Sequence, residues 1–534
     1  MSYVSHIINN LFHPQTEAEN SALNRVTTYR RILVLFTILY ALLVFYGASM
    51  GVRGTDQYWY IADIETVATG KPAVSNNLYP PSVLDNEFSG SQPFIHNTPY
   101  VYLASLPAKL FGPFAGAIVL NAFSFLIASY LIFLILQKFK INDRIAASTA
   151  GIFLLFPMNY WLTVNAMSEA LLVPPVVFLG WLAVRNDRMT NLSWILSLLT
   201  IGFMIFTRES LIILGLLFPF IYLLDTRKLN WKSIFISATM LAFVFCIYWA
   251  RGVLLPHNVQ CSFTEMIARM TPGVTDNMFC YFNTEDTRLD FSLWWTKISA
   301  NIYNQFSLTN SVSHDGSISL SFYLPTNVLV GIALYLSFWK STDHRTQRLG
   351  FLLLALVLVH SATLVLIENL PRYLIILPPL AFALTTISVR TTLLQRNNLT
   401  KGLFFLSILL VFTTADLVAA QKTRSNASRE ANQVFAIEKL VNHYSDREAI
   451  GFIETDVGDN MCLISYALKD HPVVFSRSNY AQTIKNAIAG KVKPEFAILR
   501  PNSVLNENPK MTLNAVARMP APFSAHTLYQ INYD

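Results

Sequence analysis

The stretch RILVLFTILYALLVFYGASMGVRGTDQYWYIADIETVATG (residues 31–70) decides the fold class. Its first half, Arg31 to Met50, is an apolar run long enough to cross about 30 Å of hydrocarbon as a helix. Its second half places the acids Asp56, Asp63 and Glu65, together with aromatic residues, where the chain has just left the lipid. The stretch therefore predicts a membrane-embedded protein with an acidic segment at the membrane surface.

The composition of the whole chain agrees with a membrane protein. Of its 534 residues, 53% are hydrophobic and only 13% are charged, and the mean hydropathy is +0.41, which excludes a water-soluble globule of this size. We predict about eleven spans of this kind. They are 31–50, 113–136, 145–162, 166–184, 192–207, 211–224, 233–250, 319–339, 349–367, 373–389 and 402–420.

The positions of the basic residues predict the orientation. With residues 1–30 taken as a cytoplasmic segment, every short inside connection is basic, whereas the short outside connections carry only Arg208 and Arg372. The net charge of +7 is therefore explained by topology, and we expect no nucleic-acid partner. Because polar residues precede the first apolar run and no small-residue cleavage site follows it, we expect no cleaved signal peptide.

This topology divides the chain into three parts. We predict a mainly α polytopic transmembrane domain over 31–420, with outside loops at 51–110 and 251–318, and a small extracytoplasmic α/β domain over 421–534. The segments AIGFIE, HPVVFS and EFAILR are predicted strands of that domain. Because every large non-membrane segment lies outside, any chemistry is expected at the outer face.

Two features of the second outside loop leave alternatives open. The segment RLDFSLWWTKISANIYNQF (288–306) has the apolar spacing of a helix that lies along the membrane interface or packs on the C-terminal domain. Cys261 and Cys280 either form a disulfide, which an oxidising exterior permits, or are two unpaired thiols.

Acidic residues provide the first candidates for chemistry. Asp56, Tyr60 and Asp63 recur at i, i+4 and i+7, so that one helical face carries two carboxylates and a phenol. A carboxylate desolvated beside lipid headgroups suits a general base, although it can also bind a divalent cation or act as a solvated loop acid. Glu169 is a further candidate because an acid in an apolar helix is costly to bury.

Two arginines provide the second set of candidates. Arg208 lies beside Glu209 at the outer end of the predicted fifth span, and Glu368 precedes Arg372 and Tyr373 at the outer turn before the tenth. Guanidinium groups at this depth bind phosphate oxygens well. The alternatives are arginines that reach into water or that pair with the neighbouring acids.

Three stretches resemble the polytopic glycosyltransferases of the GT-C superfamily that use polyprenyl-phosphate sugars, such as protein O-mannosyltransferases and the aminoarabinose transferases acting on lipid A. GTDQYWYIADIETVATGKP (54–72) is similar to the acidic first-loop motif of the family. PYVYLASLPAKLFGP (99–113) is similar to the segment before the second span, and PRYLIILPP (371–379) to an Arg-Tyr-proline pattern in a late span. The plan of the chain, with an early outside loop, many spans and an outside C-terminal domain, also agrees.

The resemblance implies an inverting transfer of a sugar from a polyprenyl-phosphate lipid to a glycan, lipid or protein acceptor at the outer face of a bacterial cytoplasmic membrane. It implies that Asp56 is the catalytic acid/base and that Arg208 or Arg372 helps to hold the donor phosphate. Many members carry Asp-Glu in the first loop, whereas here Gln57 follows Asp56. A second acid would have to be Asp63 or Glu65.

The remaining substrate contacts and cofactors follow from the same picture. Tyr60, Asp63 and Tyr373 are the other expected substrate-binding residues, and the rings of Tyr58 and Trp59 are candidate faces for a sugar. The sequence assigns no cofactor and no metal ligand, and it leaves a divalent metal ion open. The alternative functions are a transporter or flippase of lipid-linked sugars, a ligase or polymerase of surface polysaccharide, and a structural or receptor protein.

Overall fold

The structure is a computed structural model. The fold is described over most of the predicted membrane domain and over parts of the C-terminal domain. The described residues are 22–49, 55–70, 98–186, 189–226, 230–254, 295, 299, 302–303, 309–310, 319–320, 323–366, 371–388, 398–446, 449–454, 463–464, 466–468, 471, 473–476, 494–500 and 511–533. Cys261, Cys280 and most of the predicted interfacial helix lie outside these ranges.

The first part of the chain is helical, and most of its helices coincide with predicted spans. The helices are α1 (Ala22–Ala48), α2 (Thr55–Thr69), α3 (Thr98–Phe111), α4 (Pro113–Lys138), α5 (Asp143–Leu154), α6 (Pro157–Val164), α7 (Val173–Val184), α8 (Asn191–Thr207), α9 (Ile212–Thr226) and α10 (Trp231–Leu254). Short 3-10 helices lie at Ser168–Leu172 and Glu209–Leu211. Helix α4 packs against α2, α3, α5 and α7 and so lies at the centre of the apolar core.

Two predicted spans are interrupted. Helices α5 and α6 meet at a bend of 46° in place of one continuous helix over 145–162. Pro157 explains the bend, because a proline removes a backbone donor and clashes with the preceding turn, and it is favoured where a new helix starts. The predicted span 166–184 likewise begins as the 3-10 helix Ser168–Leu172 before α7.

The second part of the chain departs from the prediction at two spans, and one of them, 373–389, begins within the 3-10 helix Pro371–Ile376. The predicted span 319–339 begins with a short strand, because Ser319–Leu320 (β2) pairs antiparallel with Thr309–Asn310 (β1). The helices that follow are α11 (Tyr323–Tyr335) with a π-helical continuation Leu336–Lys340, α12 (His344–Leu366), the 3-10 helix Pro371–Ile376, α13 (Pro378–Ser388) and α14 (Asn398–Tyr444). Helix α14 has 47 residues and runs unbroken through the predicted domain boundary at residue 420.

Apolar helices long enough to cross a membrane are present. Within the described ranges three helices meet this condition by length and composition, or four if the bent pair α5–α6 is one span. The three are Tyr29–Ala48, Pro113–Lys138 and Trp231–Arg251, and shorter apolar helices accompany them. The protein is therefore a membrane protein, and the count of about eleven spans stays a prediction.

The C-terminal part contains a mixed β-sheet of five strands in the order β4-β3-β5-β7-β6. The strands β3 (Gly451–Glu454), β4 (Val473–Ser476) and β5 (Phe496–Leu499) are parallel and coincide with the three predicted strands. The sequence analysis missed the strands β6 (Met511–Arg518) and β7 (Thr527–Tyr533). Strand β7 pairs antiparallel with β5, and β6 pairs antiparallel with β7 at the edge of the sheet. The end of α14 packs on the sheet through Ile437 and Val441.

Candidate functional site

The acidic segment that follows the first span is a helix, as its spacing predicts. Helix α2 runs from Thr55 to Thr69 and ends before Gly70, whose φ of 70° is readily adopted by glycine. Its apolar residues Ile61 and Ile64 are buried in the core, and α2 packs against α3 and α4. The side chain of Asp56 lies outside the described part of the structure, but its backbone belongs to the first turn of this helix.

A break in the helices lies beside α2, at residues 162–168; we call it the break segment. Ala166 has a φ of 50°, which is uncommon for a residue with a Cβ, and it is fully buried. Two buried side chains fix this backbone. The Tyr100 hydroxyl donates to the Ala166 carbonyl at 2.8 Å, and the Asn121 amide nitrogen donates to the carbonyls of Leu162 (3.1 Å) and Met167 (3.0 Å). The surrounding residues thus hold an unfavourable conformation in place.

Helix α2 is hydrogen-bonded to the break segment. The side-chain nitrogen of Gln57, which is 0% exposed, donates to the Val164 carbonyl at 3.2 Å. One turn later, the Tyr60 hydroxyl and the Ser168 hydroxyl are 2.8 Å apart. The Tyr60 ring also meets the Tyr100 ring edge-on, with 5.3 Å between centroids. The contact of the adjacent residue Gln57 therefore holds the backbone of Asp56 near the break segment.

The break segment leads directly into a buried ion pair. Glu169, whose side chain is 1% exposed, accepts a hydrogen bond of 2.8 Å from Nη1 of Arg208, whose side chain is 20% exposed. Arg208 caps the C-terminal end of α8 with an extended backbone. Charge-assisted hydrogen bonds of this length are among the stronger ones in proteins. Arg208, predicted as a phosphate ligand, thus lies next to the segment that binds α2.

The backbone of the second predicted arginine, Arg372, lies near the Glu169–Arg208 pair. The 3-10 helix Pro371–Ile376, which contains Arg372 and Tyr373, packs against Ser168–Leu172. The helices Glu209–Leu211 and Pro371–Ile376 also both pack against α12. The side chains of Arg372 and Tyr373 lie outside the described part of the structure, so their contacts with a substrate stay predictions.

Two of the predicted aromatic contacts are buried inside the protein. Tyr58 is 2% exposed and packs with the C-terminal domain, which leaves its ring no face for a sugar. Tyr60 is also buried and its hydroxyl bonds Ser168, so it supports the site from within. A direct contact between Tyr60 and a substrate stays a prediction.

Asp63 lies on α2, outside the candidate membrane-spanning helices, and is 4% exposed. Burial raises the pKa of its carboxyl to about 8, because the charged form loses its hydration. Asp63 is therefore mainly protonated at neutral pH and adds little negative charge to the face it shares with Asp56. Among the residues that the structure describes, no group of three or more His, Cys, Asp or Glu side chains forms a metal site.

This pKa predicts how stability depends on pH. The folded chain holds the Asp63 proton up to about pH 8 and the unfolded chain loses it near pH 4, so the free energy of unfolding falls by about 1.4 kcal/mol per pH unit between them. We expect Asp63→Asn, which has no proton to lose, to flatten this fall. Melting temperatures of the purified protein at several pH values between 5 and 8 measure it, with Asp343→Asn as the control. An unchanged pH dependence in Asp63→Asn would show that Asp63 titrates normally.

No protein-family model and no curated protein sequence matches the chain. Solved structures do match it. ArnT from Cupriavidus metallidurans bound to undecaprenyl phosphate is 14% identical and has a TM-score of 0.54, over 93% of this chain and 97% of that one. The apo state of the same protein is 13% identical with a TM-score of 0.53 and the same coverage. The chain has the fold of ArnT.

The likeness to ArnT extends over nearly the whole length of both chains. At the level of the fold, it agrees with the resemblance that three short motifs indicated.

The sequence analysis did not identify the residues whose side chains hold the break segment in place and connect it to α2. Gln57 was noted only as a departure from the family's Asp-Glu pair, yet its amide is a donor that a carboxylate could not replace. Asn121 and Tyr100 bind backbone carbonyls that become available only because the helix breaks after Val164. Their buried polar side chains in apolar helices were the available signal.

Placing an acid at position 57, as in the Asp-Glu pair of the family, is expected to lower the stability of the protein. Gln57→Glu replaces the donor to the Val164 carbonyl with a buried carboxyl, so we expect a lower melting temperature and a loss of stability of about 1–3 kcal/mol. The matched control is Glu65→Gln, which makes the opposite exchange at a half-buried position of the same helix. If Gln57→Glu is as stable as the parent protein, the contact with Val164 does not hold α2.

Proposed function

We propose that this protein is a membrane glycosyltransferase that transfers a sugar from a polyprenyl-phosphate donor to a glycan, lipid or protein acceptor. The observation that carries the proposal is the continuous contact from α2 to Arg208. The residue next to Asp56 bonds the break segment, and the break segment continues into the acid that binds Arg208. These contacts support the proposal, because they connect the helix of the proposed acid/base to one of the proposed phosphate-binding arginines, as a transfer from a lipid phosphate requires.

The reaction is a single displacement at the anomeric carbon. Asp56 accepts the proton of the acceptor hydroxyl or amine while that oxygen or nitrogen forms a bond to the carbon. The bond from the carbon to the phosphate oxygen breaks at the same time, and the polyprenyl phosphate leaves with an additional negative charge. Arg208 and Arg372 stabilise that charge. Because the acceptor attacks from the side opposite the leaving phosphate, the configuration at the carbon is inverted.

The other proposed substrate contacts surround this reaction. Tyr373 adjoins Arg372 on the phosphate side, whereas Tyr60 and Asp63 lie on the helix that carries Asp56. Because Asp63 is mainly protonated at neutral pH, it is a poor proton acceptor there, and Asp56 is the acid proposed to take the proton. The site is proposed to face the extracytoplasmic side of a bacterial inner membrane, where the positive-inside pattern puts the loop 51–110.

Support for the lipid donor comes from ArnT, whose structure was solved bound to undecaprenyl phosphate. The shared fold covers nearly the full length of both chains. This supports the proposal that this chain also binds a polyprenyl phosphate.

The test uses the product that is common to every sugar and acceptor. The full chain in nanodiscs is incubated with lipid-linked sugars and envelope acceptors extracted from the source cells, and free polyprenyl phosphate is measured by mass spectrometry. We expect the release of lipid phosphate to depend on both protein and acceptor. A parallel assay in sealed vesicles detects lipid-linked sugar crossing the bilayer. Movement without release would replace the transferase with a flippase, and EDTA in a further arm decides whether a metal is required.

A further inference from the structure

Tyr58 connects the helix of Asp56 to the C-terminal domain. It follows Asp56 by two residues on α2, yet its side chain belongs to the apolar core that the end of α14 and the sheet form. Its hydroxyl donates to Oε2 of Glu430 on α14 at 2.7 Å. Its ring lies 4.9 Å from the ring of Tyr466, centroid to centroid. A residue of the first outside loop is thus built into a domain that begins more than 300 positions later in the chain.

Helix α2 is consequently held from two directions. Gln57 and Tyr60 bond the break segment on the membrane-domain side, while Tyr58 bonds the C-terminal domain. An isolated helix of 15 residues is only marginally stable in water, so its packing partners set its orientation. Because Tyr58 is separated from Asp56 by one residue, a rotation of α2 at Tyr58 also moves Asp56.

We propose that the C-terminal domain orients the catalytic helix and that Tyr58 is the positioning residue through which it acts. The domain is then part of the active site's framework, even though its sheet carries none of the proposed substrate contacts. The buried phenol supplies both parts of the connection: a ring that packs on Tyr466 and a hydroxyl that binds the carboxylate of Glu430. The consequence for the reaction rests on the proposed function, whereas the consequence for α2 does not.

Two measurements on the full chain in nanodiscs separate these consequences. Hydrogen exchange of the amides of residues 55–69 reports the order of α2 directly, and steady-state release of lipid phosphate reports the reaction. We expect Tyr58→Ala to accelerate exchange in α2 and to lower kcat by roughly 10-fold to 100-fold, with the KM for the donor changed less than about threefold. Tyr58→Phe keeps the ring and should have a smaller effect, which Glu430→Gln should reproduce.

Phe435→Ala is the matched control, since Phe435 is a large aromatic residue on the same helix as Glu430 but is exposed. It should change neither measurement. The proposal is overturned if Tyr58→Phe and Glu430→Gln leave both exchange and kcat at the parent values, or if Tyr58→Ala raises KM and leaves kcat intact. If Tyr58→Ala accelerates exchange in α2 but the parent protein itself releases no lipid phosphate, the positioning of α2 by Tyr58 is upheld and only the proposed function is rejected.

Discussion

Asp56→Asn is expected to lower the acceptor-dependent release of polyprenyl phosphate by about 10²-fold to 10⁴-fold, the usual contribution of a general base. Asparagine has nearly the same size and can still accept a hydrogen bond, but its amide cannot take a proton at neutral pH. Because Gln57, Tyr58 and Tyr60 continue to hold α2, the backbone at position 56 should stay in place. The measurement is the initial rate of lipid-phosphate release at equal amounts of folded protein.

Binding of the donor lipid distinguishes a lost base from a lost site. We expect the Asp56→Asn variant to bind undecaprenyl phosphate as the parent protein does, since the proposed phosphate contacts are arginines. Asp343→Asn removes an acid to which the proposed mechanism gives no role and serves as the control, with a rate within about threefold of the parent. An Asp56→Asn variant that releases lipid phosphate at the parent rate would remove Asp56 from the mechanism and leave α2 a structural helix.

Local patterns in the sequence predict most of the helices and three of the five strands in the C-terminal sheet. Helix α2 and the strands β3, β4 and β5 were predicted because their periodicity and apolar runs are local properties. The bend at Pro157 was missed because hydropathy remains high on both sides of it. Strands β6 and β7 were missed although their alternation of apolar and polar residues is the pattern of a half-buried strand; the continuous apolar runs of β3, β4 and β5 were the stronger signal.

The residues of the site were easier to predict than their partners. Arg208 and Glu169 were each singled out. An ion pair of Arg208 with a neighbouring acid was left open as an alternative to phosphate binding, and the structure pairs Arg208 with Glu169, 39 positions earlier. That contact exists only because the chain breaks at 162–168 and turns Glu169 towards the end of α8. The role of Tyr58 likewise depends on a domain more than 300 residues away, which no local spacing encodes.

The Glu169–Arg208 pair yields the largest expected change in stability. Arg208→Ala takes a guanidinium from a carboxylate that is almost completely buried, and breaking a buried pair from one side costs about 3–5 kcal/mol. We therefore expect a lower melting temperature together with weaker binding of undecaprenyl phosphate. Stability alone does not identify a phosphate ligand, because a purely structural ion pair would behave in the same way.

The double variant Glu169→Gln, Arg208→Ala separates the two roles. Neutralising the buried acid removes the charge that Arg208 compensated, so much of the lost stability should return. The phosphate contact does not return with it, and the Kd for undecaprenyl phosphate should stay raised by roughly 10-fold to 100-fold, as expected for one hydrogen bond to a charged group. A double variant that regains both stability and lipid binding would make Arg208 a structural partner of Glu169 and would leave Arg372 as the arginine that holds the donor.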